Sequence, residues 1–204
     1  MTASESAGSE ARAKAPPLAL PMFRAFVATR PAEERWELVD GVAMMMAPPT
    51  KAHQRIASNL QHLLLEALER HAPRLTAYQR VGVNIGPSVA NCDPEPDVAV
   101  VDAAIHDLDE RYADRFYLVA EIVSESDSSS FASKRDIYKL HPDCLCILTI
   151  RQDRLDIRCD LRAAEGWITH SFVGADDGFE LPPFGLRCLV NDIYRGTPLA
   201  ATTR

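Results

Sequence analysis

The 204-residue sequence has no apolar run approaching the roughly 20 residues a membrane-spanning helix needs, and charge interrupts its longest candidates, so a soluble protein is expected. It has no excess of basic residues: 22 Lys and Arg stand against 29 Asp and Glu, a formal net charge of -7. That balance argues against nucleic-acid binding through a general basic surface, so any such contact has to be local. The five cysteines (Cys92, Cys144, Cys146, Cys159 and Cys188) lack metal-site spacing and read as reduced core thiols of a cytoplasmic protein. Also missing are a Gly-x-Ser-x-Gly elbow, a phosphate-binding Gly-x-x-x-x-Gly-Lys loop, a dinucleotide fingerprint and a His-Glu-x-x-His pair. Their absence removes the common forms of serine hydrolase, nucleotide triphosphatase, dehydrogenase and zincin.

What remains is an ordinary globular composition in a chain long enough for one large domain. Residues 1–17, rich in Ala, Ser, Gly and Glu and without an apolar core of a signal peptide, are expected to form a disordered tail ahead of a single domain over 18–204. After a short lead-in to about Thr29, Asp40-Gly41 between apolar runs predicts a hairpin, because both central positions of a type I′ turn need positive φ. Thr50 can cap a helix whose apolar positions Ile56, Leu60, Leu63, Leu64, Ala67 and Leu68 carry it to about His71.

Strand patterns follow over Leu75 to Ile85, Asp97 to Val101 and Phe116 to Val123, with a charged, mobile segment from Asp102 to Arg115. A second helix is expected from about Phe131 to Leu140, capped by one of Ser128, Ser129 or Ser130 and ended by His141-Pro142. The remainder reads as additional antiparallel strands over Cys144 to Arg151, Leu155 to Leu161, Gly166 to Val173 and Phe184 to Cys188, with a closing segment near Leu189 to Tyr194. The order predicts an α/β domain with a mixed central sheet flanked by helices.

Two carboxylates interrupt otherwise apolar strands: Asp97 before Val98-Ala99-Val100-Val101, and Glu121 between Val119-Ala120 and Ile122-Val123. Singly, Asp97 could end a loop and Glu121 could pair across an edge. Together they call for a common compensation, since a buried carboxylate costs several kcal/mol when unpaired. A hard, oxygen-seeking cation such as Mg²⁺ or Mn²⁺ is the simplest. Lys134 shares a helix face with Phe131 and Tyr138, and a lysine there could serve a hydroxide nucleophile or a phosphate as easily as it could lie in solvent. Glu37, between Trp36 and Leu38, is either an outward strand residue or a further acid. His53, in the first turn of the long helix, is either a packed or capping histidine or a site residue.

The series Glu37-Leu38-Val39-Asp40-Gly41, His53, Pro96-Asp97-Val98-Ala99-Val100-Val101, Glu121-Ile122-Val123-Ser124 and Lys134 with Tyr138 resembles the Uma-two family of restriction-endonuclease-like proteins, within the PD-(D/E)XK nuclease superfamily. The resemblance covers roughly Arg35 to Ile150. It implies the restriction-endonuclease-like fold, a metal at Asp97 and Glu121, Lys134 assisting the nucleophile, Glu37 as an accessory acid, and His53 in an accessory position. Val123 stands where the superfamily's strand lysine usually is, and Lys134 from the next helix matches the family's substitute. Ser124-Glu125 replaces the family's common Ser-Pro, and His141-Pro142-Asp143-Cys144-Leu145-Cys146 replaces its Gly-Val-x-Glu-Tyr-Trp segment.

The resemblance thus implies a Mg²⁺- or Mn²⁺-dependent endonuclease acting on DNA, as a homo-oligomer and most simply a homodimer. The rival expectation is a catalytically weak or inactive nuclease-fold protein serving as an interaction or regulatory module, motivated by the acidic net charge and the altered segment after the helix. Hydrolysis of a small phosphate ester is a third.

Overall fold

The computed structural model describes residues 16–86, 89–107, 110–125 and 128–200, with the side chains of 128–132 outside the description. The expected tail therefore lies outside the described residues up to position 15. Pro16 and Pro17, assigned to that tail, are placed: Pro17 lies so close to Gly41 that a Cβ there would fall 2.3 Å from its own Cβ. The Leu18 amide donates to the Gly41 carbonyl at 2.8 Å.

A short helix α1 (Leu20–Val27) leads into the hairpin of β1 (Trp36–Val39) and β2 (Val42–Met45). Asp40 and Gly41 both have positive φ, at 49° and 75°, so the Asp-Gly turn forms as its sequence predicts. Helix α2 (Lys51–His71) begins where Thr50 accepts a hydrogen bond from the His53 amide. It buries Ile56, Leu60, Leu64 and Leu68 at helical spacing.

Six strands form the central sheet, ordered β10 (Gly166–Phe172), β9 (Ile157–Ala163), β8 (Cys146–Arg151), β7 (Phe116–Val123), β5 (Val98–Asp102) and β3 (Leu75–Tyr78). Within this sheet, among the described residues, only β7 and β8 pair in parallel, joined by α3 (Ser128–Lys139) as a βαβ crossover. Every residue of β7 is buried, as a strand covered on both faces requires. One face packs on α2 through Val98, Val100, Leu118, Ala120, Leu148 and their neighbours. The other, with Ala99, Val119, Val123 and Ile147, packs on Ile137 and Tyr138 of α3 and on Val39 of the hairpin. The chain closes with β11 (Gly178–Leu181), a 3₁₀ turn at Pro182–Phe184, β12 (Leu186–Leu189) and α4 (Val190–Tyr194), which add to the α2 layer.

Four expectations about elements need correcting. The run from Leu75 to Ile85 is two strands, because Arg80 takes a positive φ of 57° and turns the chain out of β3 before the two-residue β4 (Gly82–Val83). The Asp102 to Arg115 segment is anchored by β6 (Tyr112–Ala113), parallel to β4, with Leu108 and Asp109 outside the described residues. Helix α3 starts at Ser128, three residues earlier than expected. Finally, β11 has no counterpart in the sequence reading.

Asn59 ties the closing elements to α2, donating from Nδ2 to the carbonyls of Ile193 at 2.9 Å and Arg195 at 2.7 Å. Asn59→Ala strips both acceptors of their partner at a buried position and is expected to cost about 1–3 kcal/mol in urea unfolding.

Candidate active site

The antiparallel register of β5 and β7 pairs Val98 with Ala120, which sets Asp97, the residue just before β5, opposite Glu121. Both stand on the face that carries Val119 and Val123, and both are more than nine-tenths buried. Asp97 Oδ2 accepts from the Ile122 amide at 2.8 Å, and Oδ1 lies 3.0 Å from His53 Nε2 at the start of α2. Burial alone would raise the Asp97 carboxyl. The His53 contact outweighs it, helped by the Ile122 amide and the charge of Arg35, and holds the group below its ordinary value.

Glu121 is held from α3. Lys134 Nζ lies 2.6 Å from Glu121 Oε1, and the Tyr138 hydroxyl donates to the same oxygen at 2.7 Å. Residues 134 and 138 are one turn apart, so a single helix face delivers both. The side chain of Phe131, expected on that face, lies outside the described residues. Lys134 also donates to both oxygens of Glu37, each at 3.0 Å. Glu37 itself is almost fully buried and accepts from the Glu95 amide at 3.1 Å.

Two buried carboxylates, Glu37 and Glu121, therefore share one buried ammonium, and a third, Asp97, stands opposite Glu121 on the neighbouring strand. Burial pushes Glu121 up to about 7 despite Lys134, with the charges of Asp97 and Glu37 adding to the rise. For Lys134, burial favours the neutral amine, but Glu121 and Glu37 prevail and raise it above its ordinary value. Burial, then the charge of Glu121, pushes Tyr138 well up, so it remains a donor. Tyr138→Phe keeps the ring and removes only that donor. We expect it to lower stability by about 1.5–3 kcal/mol in thermal or urea unfolding, the range for a hydrogen bond to a charged acceptor.

All six residues singled out in the sequence thus lie at this end of the sheet: Glu37, Lys134, Glu121 and Tyr138 in one buried network, and Asp97 opposite Glu121 with the half-buried His53 against it. Sequence reasoning missed Arg35 and Glu95. Arg35 pairs with Glu95 at 2.8 Å, and the Glu95 amide in turn anchors Glu37. The signal available was that Glu95 precedes Asp97 by two residues in a Pro-punctuated stretch. The hairpin reaches this stretch because Leu38 and Asp93 exchange backbone hydrogen bonds, while Arg24 of α1 clamps Asp93 at 2.8 Å.

Along the chain the site draws an acid from β1, an acid before β5, an acid from β7, and a lysine from the following helix. A model of the Uma2 (Uma-two) family, described as "Putative restriction endonuclease", matches residues 20–191. The chain belongs to the Uma2 family. Among solved structures it is similar to one described as a "putative nuclease belonging to DUF820" from Anabaena variabilis. The two share 17% identity at a TM-score of 0.69, over 87% of this chain and 98% of that one. That likeness supports the nuclease-like fold expected from the sequence. No curated protein matches the chain. No helix among the described residues is long and apolar enough to cross a membrane.

In this Uma2 protein the residues that could hold a divalent metal are Asp97 and Glu121. Among the described residues no group of three or more His, Cys, Asp or Glu side chains is arranged as a metal cage. Two carboxylates suit Mg²⁺ nonetheless, since that ion is commonly bound by one or two of them and fills its octahedron with water and substrate phosphate.

Proposed function

We propose that this Uma2 protein is a metal-dependent endonuclease that hydrolyses phosphodiester bonds in DNA. The observation that carries the proposal is the opposed pair Asp97 and Glu121, with the Lys134 ammonium 2.6 Å from Glu121 Oε1. Mg²⁺ or Mn²⁺ bound there would neutralise charge on the scissile phosphate and lower the pKa of the attacking water.

The chain's own residues prepare that chemistry. His53 and the Ile122 amide fix the two oxygens of Asp97, and Tyr138 fixes Glu121, so neither carboxylate must reorganise on binding. Lys134, tethered by Glu37, keeps its proton and presents positive charge where the phosphate gains negative charge. In the reaction the water oxygen bonds to phosphorus and gives up a proton to solvent, the P–O bond to the leaving strand breaks, and the departing oxygen takes up a proton from solvent.

The purified protein should nick supercoiled DNA, or cut linear or single-stranded DNA, with Mg²⁺ or Mn²⁺. EDTA or Glu121→Gln should stop it. Absence of metal-dependent cleavage of every DNA form, with Asp97→Ala indistinguishable from the parent, overturns the proposal. One observation favours a second reading, an inactive nuclease-fold interaction module: Lys134 already bridges Glu37 and Glu121, as a purely structural cation would. Calorimetry separates the two, because Mn²⁺ binding that is lost in Glu121→Gln belongs only to the first.

A further inference from the structure

A cleft of about 800 Å³ lies beside this network, walled by the loop after α1, the turn between β3 and β4, and the segment around β6. Its wall includes Arg35 and Glu95, so a single residue separates the cleft from Glu37. Arg80 also enters it where the chain leaves β3. Two residues earlier, Tyr78 pairs with Ala99 of β5, which places Arg80 at the end of the sheet where Asp97 stands.

The charges in the cleft are unequally committed. Seven carboxylates line it; of these, Asp93, Glu95 and Asp102 are paired with Arg24, Arg35 and Arg115, and Asp107 is also engaged. Glu34, Glu110 and Asp114 accept hydrogen bonds from Trp36, His106 and Asn84. By contrast the exposed Arg30, Arg80 and Arg111 form no ion pair among the described residues; Arg30 lies over the Phe26 ring, 5.0 Å from its centroid. The wall therefore offers three guanidinium groups outside any ion pair among the described residues, together with the Trp36 and Tyr78 rings. Arginine for phosphate and aromatic faces for bases are the two contacts single strands need.

We propose that this cleft binds an unpaired segment of the DNA strand that flanks the scissile phosphate. The proposal rests on the nuclease reading and narrows its substrate to DNA with a single-stranded stretch. A base inside a duplex has both faces covered by stacking, so it cannot lie on Trp36 or Tyr78 in a concave space of this size without leaving the helix.

The chain's two tryptophans make the test direct, because Trp167 sits under Arg162, 4.7 Å from it, far along the sheet on β10. In a Trp167→Phe protein, Trp36 is the sole indole. A 12-nucleotide single-stranded DNA titrated in EDTA, where no cleavage intervenes, should quench it saturably, whereas inorganic phosphate and a blunt duplex of the same sequence should not. Three arginine contacts at a slope of about 0.7 each imply affinity falling roughly 15- to 20-fold between 50 and 200 mM salt. Arg111→Glu, at an exposed position, should weaken binding at least about tenfold, and Trp36→Phe should weaken it in anisotropy with a labelled strand and no Trp167 substitution. Absence of quenching, or a blunt duplex bound as tightly as the single strand, overturns the cleft. A protein that cuts DNA with Mn²⁺ but shows no quenching loses the cleft alone. One that quenches but cuts nothing loses the metal-site reading alone.

Discussion

Replacing Lys134 with methionine is expected to destabilise the metal-free protein by about 3–5 kcal/mol, the cost of removing one partner from a buried ion pair. Methionine keeps an unbranched apolar stem, so the effect isolates the ammonium. That group contacts both oxygens of Glu37 at 3.0 Å and Oε1 of Glu121 at 2.6 Å, and all three side chains are buried. Without it, two carboxylates remain in the core with no cation between them. Against a typical total stability of about 5–15 kcal/mol, the loss is large. Adding Glu121→Gln to the same protein removes one of the stranded charges. The double variant should therefore be less damaged than the sum of its single changes.

The same network fixes the sign of the pH dependence. Glu121 is raised to about 7 by burial, so its contribution is fully present below its unfolded value of 4.5 and is lost as pH rises through 7. Lys134 is raised above 10.5, so its contribution persists throughout that window and fails only at higher pH. Removing Lys134 leaves Glu121 harder still to ionise. The deficit of Lys134→Met should thus be largest near pH 8 and shrink toward pH 5, where protonation removes the stranded charge. Urea unfolding in EDTA at the two pH values measures this; equal deficits at both would mean that the pair is not the cause.

The residues that could be read from the chain were those that violated their surroundings. Asp97 and Glu121 stand out because apolar strands surround them, and Lys134 because aromatics share its helix face. Asp40-Gly41 and Thr50 were legible because turn and cap chemistry is local. What escaped depends on distant partners. Nothing local marks Arg80 as a residue with positive φ, and the apolar pattern of Val81, Val83 and Ile85 continues past it as if the strand did. The short β11 hides between turn residues. Glu95 and Arg35 joined the site only once Leu38 met Asp93, a contact across 55 positions that no periodicity announces. His53 and Tyr138 could be nominated as accessory residues, but their roles depend on whether α2 and α3 converge on the same end of the sheet.

Asp97→Asn is expected to abolish metal-dependent cleavage, by at least about 10²–10³-fold, the usual cost of one misplaced electrostatic group in a site of this type, while leaving the fold nearly intact. The side chain is isosteric: its carbonyl oxygen can still accept from the Ile122 amide, and its amide can donate to His53 Nε2 when that nitrogen is unprotonated. The negative charge is lost, and with it half of the carboxylate pair proposed to hold Mg²⁺ or Mn²⁺. Two measurements then have to diverge. DNA cleavage should fall away, and with it the Mn²⁺-induced rise in unfolding temperature that preferential binding to the native state gives the parent. In EDTA, however, parent and variant should unfold at closely similar temperatures. If Asp97→Asn lost activity but kept the full Mn²⁺ stabilisation, the metal would have to sit elsewhere, and Asp97 would act by orienting His53 instead.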